Sequence, residues 1–199
     1  MICKNQEEKN YLTYGQLNLI TSSRYNWALL AAWTREYIHS VADGLSNVKE
    51  VGDRLYSVPV DFYNLVLPFV GRTNADRVLN RTSLRQITLM SLINAMKNND
   101  VETVNANTLR LYQIADELAA FLAQINPYWS EETWKNLFYQ NIRMNLDLAT
   151  SYISGNHDKD IGLYDELLQH SSVLGDEMAT GMFRYLSTPV APTGQTSKS

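Results

Sequence analysis

The chain has 199 residues, 45% of them hydrophobic, and a formal net charge of −4, which is enough chain to enclose one sizeable core. With only three His and one Cys, a disulfide scaffold, a Cys-rich zinc site and an iron–sulfur centre are all but excluded. The 17 Lys and Arg are scattered, which argues against a nucleic-acid footprint and against binding to a membrane surface.

The opening stretch, Met1 to Gly15, is polar and includes Glu7, Glu8 and Lys9. It lacks the apolar segment of a signal peptide, and no run of about 18 apolar residues marks a membrane span. A cytoplasmic protein is therefore expected. Cys3 has no neighbouring His to activate it.

Apolar residues then recur at helical spacing almost throughout. A first helix is predicted from about Leu12 to Ala42, stopped by Asp43-Gly44. A second, from about Asn47 to Val70, carries the stripe Val48, Val51, Leu55, Val58, Phe62, Leu65 and Phe69. Pro59 lies inside it, and the hydrogen bond it removes predicts a kink or break just before that residue. Gly71 closes the segment. A third helix is predicted from about Asn74 to Lys97, ending at Asn98-Asn99-Asp100. The fourth, Val101 to Ile125, has the narrowest stripe: Val104, Leu111, Ile114, Leu118, Leu122 and Ile125. Asn126-Pro127 stops it. Ser130 caps a fifth helix, with Glu131 and Glu132 suited to its first turn. Gly155-Asn156 ends it, and a sixth is predicted from about Asp158 to Leu186. Residues 188–199 have no periodicity and read as a disordered tail.

Short turns make neighbouring helices antiparallel. The sequence thus predicts one all-α domain over residues 1–187, an antiparallel helical bundle of three αα-hairpins and about six helices. An internal repeat supports the pairing. Ile114-Ala115-Asp116-Glu117-Leu118-Ala119 matches Leu174-Gly175-Asp176-Glu177-Met178-Ala179, and Asp100-Val101 matches Asp160-Ile161 at the same offset. Val60-Asp61 joins more loosely, opposite Ala115-Asp116.

Certain stretches are similar to a known family. They are Trp33-Thr34-Arg35, Arg54-Leu55-Tyr56-Ser57-Val58-Pro59-Val60-Asp61-Phe62, Pro68-Phe69-Val70-Gly71, Ala115-Asp116-Glu117 and Asn126-Pro127-Tyr128-Trp129-Ser130. Over about Arg24 to Leu186 the chain resembles a family of roughly 200-residue helical proteins from spore-forming Gram-positive bacteria. That family has no established activity. The resemblance implies a His in the first helix of each hairpin. The matching positions here are Leu30, Thr88 and Asn141, while His170 lines up with a further family His. A metal or cofactor function inherited from the family would have lost most of its ligands.

Several constellations could carry chemistry. Di-metal bundles use Glu-x-x-His motifs, and the chain has one, Glu36 to His39, with Asp43 a turn further on. The wheel places Glu36 away from the core, so a solvated face is the first reading. Glu166 and His170 form an i, i+4 pair at a stripe edge. Glu36, His39, Asp43, Glu166 and His170 are the metal-ligand candidates. Asp61, Asp116 and Asp176 recur at equivalent repeat positions, with Arg35, Arg54 and Arg85 as candidate partners that would set helix register. Arg24, Thr34, Arg85, Thr88, Asn141 and Asn145 fall on core-like positions and predict an interior polar layer. That layer is either a register-setting network or a small polar cavity able to hold water or an anion.

No nucleophile elbow, phosphate-binding loop or dinucleotide fingerprint occurs. The reading is a non-catalytic structural or interaction protein, self-associating or binding a protein partner through exposed Trp and Tyr side chains. The alternative is a metal- or small-ligand-binding bundle, ferritin-like or degenerate. An enzyme ranks third. No cofactor is expected, a divalent metal being the alternative. Neither nucleic acid nor membrane is an expected partner.

Overall fold

Thr13 opens the first helix. Its hydroxyl accepts from the Gln16 backbone N–H, while the Gln16 side chain accepts from the Thr13 N–H. This reciprocal cap satisfies donors that a helix start otherwise leaves free. Helix α1 runs Tyr14–Asp43 and stops at Gly44, whose left-handed backbone (φ 64°) turns its N–H back onto the Ser40 and Val41 carbonyls.

The computed structural model describes residues 11–187, and all the regular structure among them is helical. The expected tail at 188–199 and the stretch around Cys3 lie outside the described residues. Helix α2 spans Val48–Lys97, interrupted at Gly71 (φ 74°, ψ 165°). That backbone position suits glycine, which has no Cβ to clash. The arms on either side pack against each other. A Cβ on Gly52 would sit 3.2 Å from Met90 Cε, and Pro59 and Phe62 share a cavity wall with Thr82 and Arg85.

Of the kink or break expected at Pro59, the break does not occur. Gly71 is the only non-helical residue inside α2, and Pro59 is buried with Val58 and Phe62. A proline removes one helical hydrogen bond, and core packing along this arm holds the backbone helical without it.

Helix α3, Val101–Ile125, starts where the Asp100 carboxylate accepts from the Thr103 N–H at 3.1 Å. Helix α4, Glu131–Ile153, starts where the Ser130 hydroxyl accepts from the Thr133 N–H. Helix α5 covers His157–Ser187. α1 packs on α5 and α2, α3 on α2 and α4, and α4 on α5. Trp27 ties three helices together. Its ring meets Phe62 of α2 edge-on at 4.7 Å and lies 6.4 Å and 6.1 Å from Trp134 and Phe138 of α4. Trp27, Trp129 and Trp134 are all buried. Three of the four tryptophans therefore supply core rather than the exposed surface expected of them, Trp33 is half-buried, and the exposed aromatics among the described residues are tyrosines such as Tyr25 and Tyr56.

Two glycines set helix spacing. A Cβ on Gly175 would lie 2.6 Å from the Arg24 Cα, and one on Gly181 would lie 2.0 Å from the Trp129 Nε1. Side chains there would push α5 away from α1 and from Trp129. No helix among the described residues is long and apolar enough to cross a membrane.

Candidate functional site

Helical spacing lines Arg35, His39 and Asp43 along one side of α1, one turn apart. Opposite them stands Asp160, in the first turn of α5 and nearly fully buried. Arg35 Nη2 donates to Asp160 Oδ2 at 2.7 Å, and its guanidinium lies 4.6 Å from the centre of the Tyr164 ring. The His39 Nε2 is 3.7 Å from the same carboxylate oxygen, beyond hydrogen-bonding distance. Tyr152 of α4 closes the group. Its ring stacks on His39 at 3.8 Å, and its hydroxyl donates to Asp43 Oδ2 at 2.7 Å.

The electrostatics follow from that geometry. Burial, and then the Arg35 charge, push the His39 imidazole below the ordinary histidine range, against the opposing pull of Asp160, Glu36 and Asp43. His39 is therefore neutral at pH 7. The hydrogen bond to Asp43, with burial and the nearby acids, pushes the Tyr152 phenol up to about 12. The cluster thus joins a neutral imidazole, a protonated phenol and an ion pair, and ties α1, α4 and α5 together. The Asp160 Oδ1 and the His39 Nε2 are buried without a hydrogen-bond partner.

The candidate metal ligands only partly meet. His39 and Asp43 come together through Tyr152, whereas Glu36 is exposed, beside Trp33 and Glu50. Glu166 also faces solvent. His170 turns inward and donates from Nε2 to the Leu137 carbonyl at 2.9 Å, with its imidazole pushed down by burial. Among the described residues, no group of three or more His, Cys, Asp or Glu is placed to hold a metal ion.

The interior polar layer forms between α2 and α4. Arg85 Nη2 donates to Asn141 Oδ1, and Asn145 Nδ2 donates to the Asn141 carbonyl at 2.7 Å. The Thr88 hydroxyl donates to the Leu84 carbonyl, and Thr34 is buried on α1. Arg24 departs from this layer. It is half-exposed and forms two 2.6 Å hydrogen bonds to Asp176. Leu30, Thr88 and Asn141 lie in or beside this interior. Leu30 lines a small cavity with Arg85, and Asn141 is the Arg85 partner.

Asp61, Asp116 and Asp176 are paired at the surface. Asp61 meets Arg54 at 3.2 Å, and Asp116 meets Lys135 at 3.0 Å and the Tyr139 hydroxyl at 2.8 Å. Arg35, a candidate partner for these, belongs to Asp160 instead. Sequence reasoning missed the roles of Asp160 and the Tyr152 bridge. The one available signal was the i, i+4 spacing of Arg35 and His39. No family model, no curated protein and no solved structure matches the chain.

Proposed function

We propose that the chain is a non-catalytic helical-bundle protein of the cytoplasm that acts through its surface, associating with a second copy of itself. One observation carries this reading. Tyr56 and Val60 on the first arm of α2, and Leu84 and Ile87 on the second, are all exposed. Tyr56 and Ile87 line one open groove with Val48 and Met90, bordered by the exposed Lys49–Asp53 ion pair, and Val60 and Leu84 continue the same face by about one helical turn. Single exposed apolar residues are ordinary, but contiguous ones favour association.

In this reading the bundle is three αα-hairpins, built by duplication, with α2 contributing an arm to each of the first two. The packing of α1 on α2, α2 on α3 and α4 on α5 supports it, as does the interruption at Gly71. The resemblance to the spore-former family fits the same architecture.

Light scattering of the full chain at two concentrations is the test. We expect a mass above the monomer at the higher concentration, returning to the monomer in Ile87→Lys. A strict monomer at both concentrations overturns self-association. Metal analysis addresses the rival reading: stoichiometric metal that disappears in His39→Ala or His170→Ala would replace this proposal with a metal-binding bundle.

A further inference from the structure

An open groove of about 480 Å³ separates α1 from the first turn of α2. Ala32, Trp33 and Glu36 line it from α1, and Asn47, Glu50 and Val51 line it from the α2 side. Each trio contains one i, i+4 pair and one i, i+3 pair, so each is the face of a single helical turn. The two carboxylates therefore come from opposite walls. The remainder of the lining is the Trp33 ring, Ala32, Val51 and the Asn47 side chain. Trp33 is half-buried, whereas Trp27, Trp129 and Trp134 are buried in the core.

The charge in this groove is unbalanced. Among the described residues neither Glu36 nor Glu50 forms an ion pair. The cations beside them are committed elsewhere: Lys49 to Asp53, Arg35 to Asp160, and Arg54 to Asp61 and the Ser57 hydroxyl. We propose that the groove binds a linear aliphatic diamine, with one ammonium group at Glu36, the other at Glu50, and the methylene stem against Trp33.

The lining selects this ligand. Carboxylates accept hydrogen bonds and attract cations. An indole ring takes both an ammonium group and the alkyl chain that carries it. The Arg54 guanidinium already lies 5.6 Å from the centre of that ring. A monoamine would neutralise only one wall. A divalent metal ion needs six or more oxygen ligands and gains nothing from Trp33, Ala32 or Val51. The acidic walls and the chain's net charge of −4 disfavour an anionic guest.

The test titrates putrescine into the isotope-labelled full chain and follows the tryptophan indole N–H resonances, with ionic strength held constant. We expect a saturable shift of one indole resonance, the one missing in Trp33→Phe. Glu36→Gln and Glu50→Gln should each weaken binding about fivefold, the scale of one exposed charge pair. Both carboxylates are exposed, so these variants leave the core untouched. For the same reason n-butylamine should bind about fivefold more weakly than putrescine. No saturable shift at tens of millimolar putrescine overturns the proposal. So does an affinity unchanged in both glutamine variants, or n-butylamine or magnesium chloride binding as tightly as putrescine.

Discussion

Two arginines of α1 each reach a carboxylate of α5, Arg35 to Asp160 near the start of α5 and Arg24 to Asp176 towards its end. The chemistry is the same and the distances are nearly so, 2.7 and 2.6 Å. The surroundings differ. Arg24 and Asp176 keep side-chain exposures of 50% and 44%, whereas Arg35 keeps 26% and Asp160 only 2%. The exposed pair has the better geometry, with two parallel hydrogen bonds. Water nevertheless solvates both of its partners when they separate, so it stabilises by at most about 1 kcal/mol. The buried carboxylate has no such recourse. Its pairing is conditional, because breaking it strands a charge. Burial, more than contact geometry, decides which polar groups the bundle depends on.

The largest effect that sharpens this contrast is expected from Arg35→Met. It leaves Asp160 without its cation and should cost about 3–5 kcal/mol in denaturant unfolding. Asp160→Asn should cost less, because the remaining Arg35 can turn towards water and still lie against Tyr164. Equal costs for the two would break the contrast. Next comes the seam between the pairs. Gly175→Ala forces a Cβ against the Arg24 backbone and should cost about 1–3 kcal/mol by overpacking. Gly162→Ala, in the same helix with open space around it, should instead gain up to about 1 kcal/mol from helix propensity. A smaller effect is expected from pH. His39 and His170 both lie below the ordinary histidine range in the folded state. The unfolded chain therefore binds more protons as pH drops through that range. Stability should be complete above it and fall as pH is lowered towards the depressed folded values. His170→Gln should flatten the decline, and an unchanged slope in both His170→Gln and His39→Gln would contradict it.

Much of the fold was legible locally. Asp100 and Ser130 mark helix starts through their own side-chain chemistry, and the α3 bounds coincide with the predicted Val101 to Ile125. Gly71 reads correctly because a positive φ is a local property. The helix continues through Pro59 for the opposite reason: the local penalty that could have broken it is offset by packing between the two arms of α2, which no short window contains. The site was less legible. Asp160 sits beside Asp158 at a helix start, where carboxylates ordinarily face water and complement the helix dipole. Only the approach of α1 buries it. The same holds for Arg24, whose core-like wheel position ends at the surface because the α1 backbone packs directly on Gly175 and its side chain pairs with Asp176. Arg85 with Asn141 and Asn145 was recoverable, because polar residues on apolar stripes must find one another.

The most direct measurement is a pair of double-mutant cycles, one for Arg35 with Asp160 and one for Arg24 with Asp176, each read by equilibrium unfolding. This account predicts a coupling of several kcal/mol for the buried pair and less than about 1 kcal/mol for the exposed pair, with only the latter eroding in high salt. Equal couplings, or a stronger one between Arg24 and Asp176, would contradict it.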